Sequence, residues 1–331
     1  MRLLKTKSLA KVIWFTALVW AVIFCFCGCF NSNDFGESID KTIVISQNEF
    51  SVNFLYIEDG DCTIIRFPDN KVLMIDSGSK GNKNLKMIKS VLKDSNVNKI
   101  DYYVVTNVRT FGNLPELAKS YGFGKVYLPK INHYEKYKEY VDTLSALEGK
   151  VDKLIYATYM TEEVGDGWFF RFLSPHIDGP DNMNVDLEIG NPTDGQIRRS
   201  SAVLFLECKG KRFLFLGEAN TQALEAIKQN YDVGIYNIFS NYQEVCLENV
   251  DLVLLASHGQ KESDCKELFS LLKPLYFVVS VNLNNKPDAS LLSEVLYENS
   301  KAQIYRTDVV GSITVGVSDA VLTLKTSVYN N

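Results

Sequence analysis

The sequence predicts an α/β (α+β) fold, a four-layer αββα sandwich of two mixed β-sheets with helices outside. Two observations predict it. Short β-rich runs separated by turn-like segments open each half of the chain, and strand-like and helical stretches alternate after them. A hairpin followed by β–α units predicts a sheet with antiparallel and parallel strands, and two such halves predict two sheets packed face to face. With 331 residues, of which 46% are hydrophobic, the chain is long enough for a large core.

In the first half, four β-rich runs are separated by polar turns at 58–61 and 68–70. The predicted strands of these runs are 42–46, 50–57, 62–67 and 71–76. Predicted helices at 82–92, 114–121 and 134–147 then alternate with predicted strands at 100–106, 125–128, 153–156 and 168–173. The segment 177–196 is rich in Gly, Pro, Asp and Asn and poor in apolar residues, so we expect a surface loop there.

The second half repeats this scheme. A hairpin is predicted from 202–208 and 212–217, with its turn at 209–211, and a helix follows at 221–230. The remaining predicted strands are 251–256, 275–281, 303–305, 313–317 and 321–325, and the remaining predicted helices are 262–272 and 289–300.

The N-terminus predicts export. Four basic residues, Arg2, Lys5, Lys7 and Lys11, precede an uncharged run of 19 residues at 12–30. This length fits both a signal peptide and a helix that spans a bilayer, and in either case the rest of the chain faces outward. We therefore expect a signal peptide or membrane anchor at 1–30, a polar tether at 31–48 and a folded domain at 49–326 on the extracytoplasmic face of the cell membrane.

Cys29 is a candidate lipidation site. The segment 26–29 loosely resembles a bacterial lipobox, in which a lipid is attached to the cysteine after cleavage, and the small residue Gly28 precedes Cys29. The alternative is an uncleaved anchor in which these are small apolar residues. Beyond the tether, Cys62, Cys208, Cys246 and Cys265 are too scattered for a disulfide scaffold and are expected to be buried.

The charge pattern argues against a nucleic-acid partner. The formal net charge is −5, and no stripe rich in Lys or Arg stands out. Proteins that bind nucleic acids through their phosphates concentrate basic residues on one surface. We therefore expect the membrane to be reached through the N-terminus, while the sequence does not identify a ligand or protein partner.

Several short motifs occur in the order of a known family. They are VNFLYIEDGD at 52–61, LMIDSG at 73–78, KID at 99–101 with VVT at 104–106, SSAV at 200–203, RFLFLG at 212–217, and RTD at 306–308 with GSI at 311–313. In this order they resemble the metallo-β-lactamase-fold domain of ComEC-type DNA-internalisation competence proteins, over roughly residues 50 to 317. The multi-span channel that accompanies this domain in those proteins is missing from the sequence, so DNA transport does not carry over.

The resemblance implies a two-metal hydrolase site on loops at one edge of the sandwich. The family builds this site from an HxDxDH motif, a bridging Asp and further His residues in HHGS-like and HP-like segments. Two cations with a bound hydroxide would attack a phosphodiester or similar bond. A centre of this kind requires about six to eight nitrogen and oxygen ligands.

This chain departs from the family pattern at its metal ligands. The segment 106–115, TNVRTFGNLP, stands where THxDxDHxGGLP belongs, with Asn107 at a His position and the permanent cation Arg109 at an Asp position. Glu218 replaces the bridging Asp, Ser257 and His258 stand in the HHGS-like segment, and Lys286 replaces the His of HP. The whole chain contains three His, so the family's ligand set cannot be assembled in any register.

The sequence therefore predicts a vestigial pocket without a metal cofactor. Its expected residues are Asp76, Asn107, Arg109, Glu218, Ser257, His258 and Lys286. Arg109 and Lys286 are expected either to attract an anion or to pair with Glu218 and Asp76. His133 and His176 are expected at the surface. The turn at 59–61 is interpreted as an ordinary Asp/Gly turn in preference to a calcium loop.

Two functions follow from this pocket. The preferred one is a membrane-tethered, extracytoplasmic, non-catalytic binding or scaffolding domain, a pseudoenzyme related to ComEC-type hydrolases. The alternative is a divergent metal-dependent hydrolase, nuclease-like or phosphodiesterase-like, in which Asp76, Glu218 and His258 hold one Zn or Mn ion. Against that alternative, the two carboxylates can also accept backbone N–H groups and His258 can hydrogen-bond locally.

Overall fold

The computed structural model describes residues 43–129, 138–159, 161–176, 193–281 and 286–328. The described residues belong to one compact unit, Thr42–Asn331. The predicted signal or anchor at 1–30, the candidate lipidation site Cys29 and most of the tether lie outside the described residues, as does His133. Within the described ranges, no helix has the length and apolar character needed to cross a bilayer.

The described chain contains the following strands: β1 Ser51–Phe54, β2 Thr63–Arg66, β3 Val72–Ile75, β4 Lys99–Val104, β5 Gly122–Leu128, β6 Val151–Tyr156, β7 Glu162–Gly165, β8 Trp168–Ser174, β9 Val203–Cys208, β10 Lys211–Phe215, β11 Leu252–Leu254, β12 Tyr276–Val279, β13 Gln303–Arg306, β14 Ile313–Ser318 and β15 Val321–Thr326. Its α-helices are α1 Asn82–Asp94, α2 Leu114–Leu117, α3 Lys138–Leu147, α4 Asp194–Arg199, α5 Thr221–Asp232, α6 Lys266–Leu272, α7 Ala289–Glu298 and α8 Thr307–Val310.

The strands form two mixed sheets of similar design. The first has the order β15-β14-β1-β2-β3-β4-β5-β6, and the second has the order β13-β12-β11-β10-β9-β8-β7. In the first sheet, β3 to β6 run parallel and the other neighbours are antiparallel. In the second, β10 to β13 run parallel and β7 to β10 are antiparallel. Each half of the chain thus combines antiparallel hairpins with parallel β–α units, as the sequence predicts.

The helices and the two sheets form four layers, and a buried apolar cluster lies between each layer and the next. One lies between the sheets and includes Phe54, Phe170 and Phe215. A second packs α1, α2 and α3 on the outer face of the first sheet, and a third packs α5, α6 and α7 on the outer face of the second. Because both faces of each sheet are buried, its central strands are almost continuously apolar. The predicted αββα sandwich with helices outside is confirmed.

Some predicted elements differ from the structure. Residues 43–46 are not a strand, because the N–H of Ile45 donates to the Ser95 hydroxyl and not to a neighbouring strand. The predicted loop 177–196 ends too late, since Thr193 caps α4 through a reciprocal capping box with Gln196. The strand β7 was not predicted. His176 is buried and stacked on Tyr159, so its expected surface position is wrong.

Candidate functional site

The loops at one edge of the sandwich come from both sheets. Parallel strands β3 and β4 of the first sheet and β10, β11 and β12 of the second all end there, and α/β proteins bind ligands beyond the carboxyl ends of such strands. Asp76 follows β3, Asn107 and Arg109 follow β4, Glu218 follows β10, and Ser257 and His258 follow β11. The turn at 58–61 reaches the loop after β3, where the Gly78 N–H donates to the Asp61 carbonyl at 2.7 Å.

Several residues of these loops have left-handed backbones. The φ angles are 52° at Asp76, 48° at Ser257 and 57° at His258. Each such non-glycine conformation costs about 1–3 kcal/mol and persists only where the surroundings fix it. Gly112 shows how tightly the loops pack, because a Cβ there would lie 1.8 Å from the Gly78 carbonyl oxygen.

The carboxylate of Asp76 is satisfied by protein groups. It accepts hydrogen bonds from the Thr106 N–H at 2.9 Å, from the Thr106 hydroxyl and from the Thr110 hydroxyl at 2.8 Å. Burial raises the pKa of Asp76 to about 8, against the opposing effect of these donors. Its acceptor positions are therefore directed at the loop after β4 and away from an ion.

Asn107 is equally committed to the protein. It is 1% exposed, and its amide nitrogen donates to the Ile197 carbonyl and the Ser201 hydroxyl, both at 2.9 Å. Its side-chain oxygen accepts the Arg109 N–H at 3.1 Å. Asn107 thus joins the loop after β4 to the end of α4.

Arg109 and Lys286 contribute less than the sequence suggests. The Arg109 guanidinium lies 3.7 Å from the carboxylate of Asp194, and both side chains are substantially exposed. Lys286 is exposed, and within the described ranges it forms no ion pair. Among the described residues, neither cation forms an ion pair with Glu218 or Asp76, so the expected direct pairing is not observed.

His258 faces two carboxylates. Its Nδ1 lies 2.8 Å from the Ser280 carbonyl oxygen and 3.2 Å from Asp61 Oδ1, and its Nε2 lies 3.5 Å from Glu218 Oε1. A carbonyl only accepts hydrogen bonds, so Nδ1 carries a hydrogen and Nε2 is directed at Glu218. Burial alone would lower the pKa of His258, but the carboxylates of Asp61 and Glu218 outweigh it and raise the pKa to about 10.

Glu218 is partly buried, and among the described residues its side chain has no close partner. Its two oxygens lie 3.5 Å from His258 Nε2 and 3.6 Å from Arg198 Nη1, both longer than a normal hydrogen bond. Burial raises the pKa of Glu218, and the nearby His258 opposes that shift. The Arg198 guanidinium also donates to the Ser257 hydroxyl at 2.7 Å and lies 3.1 Å from Glu262.

The residues do not fit a binuclear centre, but one group fits a single ion. Among the described residues, Asp61, Glu218 and His258 are the one group whose carboxylate and imidazole ligand atoms converge, all within 4.8 Å of one another. Asp61, and not Asp76, completes this group with Glu218 and His258. Three ligands fall short of the about six to eight that two ions require.

Two residues of the site were not predicted. Asp61 ends the turn before β2 and was interpreted only as part of that turn, although the aspartate ends the VNFLYIEDGD motif. Arg198 lies next to the SSAV motif, and it was assigned no role because the segment before it is polar and irregular. Both residues lie in or beside a sequence motif, which is the signal that could have indicated them. They come close together, however, only because the two halves of the chain pack against each other.

Comparison with known proteins adds a likeness of fold. No protein-family model matches the chain, and no curated protein matches it. Similar solved structures include the metallo-β-lactamase fold protein YhfI from Bacillus subtilis, with 8% identity, 84% of this chain and 100% of that chain covered, and a TM-score of 0.47. The diiron β-hydroxylase CmlA from Streptomyces venezuelae has 10% identity and a TM-score of 0.48 over 82% of this chain and 55% of that chain. Zn²⁺-bound PqqB from Methylobacterium extorquens has 11% identity and a TM-score of 0.43 over 75% of this chain and 85% of that chain.

Proposed function

We propose that this chain is a membrane-tethered, extracytoplasmic domain of metallo-β-lactamase type, related to the ComEC-type hydrolase domain, that binds or scaffolds and does not perform two-metal hydrolysis. The observation that carries this proposal is the loop after β4. Its polar groups form hydrogen bonds within the protein. Thr106 and Thr110 donate to Asp76, and Asn107 donates to Ser201. No ligand from this loop is left to hold the first of two ions.

Charge supports the same conclusion. Burial raises the pKa of Glu218, and His258, Arg198 and Arg109 all lie close enough to oppose that shift. The guanidinium groups of Arg109 and Arg198 would each repel a second divalent cation at this edge. The ordinary chemistry of two ions, which polarise a phosphate and activate water between them, has no place in this arrangement.

Hydrolysis by the full chain, purified in detergent, tests this proposal. With bis(p-nitrophenyl) phosphate as substrate and Zn²⁺ or Mn²⁺ added, we expect no turnover above the same buffer without protein. Turnover that disappears in Glu218→Ala, while that variant keeps its circular dichroism spectrum, would contradict the proposal.

A specific observation favours a second candidate, a hydrolase with one ion. Asp61, Glu218 and His258 converge, and His258 Nδ1 is bound to a backbone carbonyl in the way that orients a metal-binding imidazole. Such an ion, once bound, would supply Lewis acidity to a phosphate oxygen. Turnover that requires Asp61, Glu218, His258 and one equivalent of metal would distinguish a one-ion hydrolase from the non-catalytic domain.

The tether is tested separately. If the chain is anchored through 1–30, deletion of these residues should release a soluble protein that unfolds cooperatively, because the first buried core residue in the structure is Ile45. Acyl labelling that requires Cys29 would identify a lipoprotein, and an intact Met1 on the mature chain would identify an uncleaved anchor. An insoluble or unfolded truncation would contradict the domain boundary.

A further inference from the structure

We propose that Asp61, Glu218 and His258 bind one divalent transition-metal cation, and that Arg198 is an internal cation that competes with it and must turn towards Glu262 when the ion binds. This inference rests on the proposed function, since it names the ligand class of that same site. It assigns a ligand, Asp61, and a competing residue, Arg198, that the motif resemblance does not supply.

The first observation is the distance between His258 and Glu218. The separation of 3.5 Å between Nε2 and Oε1 is too long for a good hydrogen bond. Two ligand atoms on one tetrahedral ion, with metal–ligand bonds of about 2.0–2.2 Å, lie ~3.4 Å apart. The two side chains are therefore spaced as ligands of one ion and not as partners of each other.

The second observation is the unsatisfied oxygen of Asp61. Asp61 is 7% exposed, and its Oδ1 is buried without a hydrogen bond. It lies 3.2 Å from His258 Nδ1, but the hydrogen on that nitrogen is directed at the Ser280 carbonyl. A buried carboxylate oxygen without a donor is costly, and a cation in the group would remove that cost.

The third observation is the position of Arg198. Its guanidinium is 3.6 Å from Glu218 and 3.1 Å from Glu262, and the Glu262 side chain is 49% exposed. Arg198 is thus closer to Glu262, which is not one of the three proposed ligands, than to Glu218, which is. Arg198 can give up its weak contact with Glu218 and keep its contact with Glu262, so ion binding does not require an arginine to be left without a carboxylate.

The donor set indicates the kind of ion. One imidazole nitrogen with two carboxylate oxygens suits Zn²⁺, Co²⁺ or Mn²⁺, whereas Mg²⁺ and Ca²⁺ prefer oxygen ligands alone. Three protein ligands, a competing guanidinium and a His258 imidazole that must release a hydrogen before its nitrogen can bind an ion predict weak binding in the unmodified chain. Removal of the guanidinium should strengthen it.

Titration with Co²⁺, followed by visible absorption and by calorimetry, tests this inference on the full chain in detergent. We expect one equivalent to bind, at least about tenfold more tightly in Arg198→Met, because the competing charge is gone while the side-chain length is kept. Asp61→Asn and Glu218→Gln should each weaken binding by about tenfold or more. Lys209→Met is the control for loss of a positive charge, since Lys209 is exposed in the turn before β10, at the opposite end of that strand from Glu218, and should leave Co²⁺ affinity unchanged.

The outcomes separate this inference from the proposed function. Absence of Co²⁺ binding in both the unmodified chain and Arg198→Met would overturn the cation site and leave the non-catalytic domain intact. Binding that is equal in Arg198→Met and in Lys209→Met would overturn the role of Arg198. One bound ion without hydrolysis of bis(p-nitrophenyl) phosphate supports both proposals, whereas two ions with hydrolysis would overturn the proposed function. Circular dichroism confirms that each variant is folded.

Discussion

The site has two sides that use their polar groups in opposite ways. On the first side, the loops after β3 and β4, Asp76 and Asn107 have their hydrogen-bonding atoms matched by neighbouring groups at normal distances. On the second side, the loops after β10 and β11, the shortest side-chain contacts of Glu218 among the described residues are 3.5 and 3.6 Å. The difference teaches that the first side uses its polar groups within the protein, whereas the second side keeps groups that suit a cation.

This comparison predicts that Asp76 stabilises the fold more than Glu218 does. Asp76→Ala should lower the free energy of unfolding by about 3–5 kcal/mol, because it leaves the buried Thr106 N–H without its acceptor and removes the hydrogen bonds from the hydroxyls of Thr106 and Thr110. Denaturant unfolding measures the change.

Asp76→Asn is the matched control. An amide has nearly the same shape as a carboxyl group and keeps one oxygen that can accept the Thr106 N–H. The loss should therefore be smaller than in Asp76→Ala. If Asp76→Ala and Glu218→Gln destabilised the protein equally, the contrast between the two sides would be wrong.

Asn107→Ala should have the next largest effect. It removes two buried hydrogen bonds between the loop after β4 and the end of α4, and we expect a loss of about 2 kcal/mol in the free energy of unfolding. Asn107→His tests the site as well, since it places at this position the residue type of the ComEC-type motif that the sequence resembles. We expect that variant to gain no metal, because the side chain at this position is directed at Ile197 and Ser201.

The charge on His258 should give the second side a pH-dependent contribution. Its folded pKa is raised from 6.5 to about 10, so the stabilisation is fully present below pH 6.5 and is lost as the pH rises through about 10. The difference in unfolding free energy between the unmodified chain and His258→Gln, measured with EDTA from pH 6 to 11, isolates this contribution; a difference that grew with pH would contradict the assignment.

The smallest effect should come from the exposed pair of Arg109 and Asp194. Asp194→Asn is expected to change the free energy of unfolding by less than about 0.5 kcal/mol, because both side chains are solvated and 3.7 Å apart. A larger loss, measured by denaturant unfolding at low salt, would show that Arg109 has a closer role at the site.

Much of the fold could be predicted because its signals are local. The hairpin of β9 and β10 follows from apolar runs around the turn at 209–211. The segment 106–115 after β4 contains no His or Asp, so the absence there of the metal ligands of the ComEC-type motif can be read from the sequence. The group of Asp61, Glu218 and His258 could not be predicted in the same way. Its members come from three loops that meet only when the two sheets pack, and Arg198 arrives on a short helix within a polar stretch.

Native mass spectrometry of the full chain, loaded with excess Zn²⁺ and exchanged into metal-free buffer, measures most directly how many ions the site retains. The account predicts at most one zinc per chain, lost in Glu218→Gln. Two tightly held zinc ions per chain would contradict it.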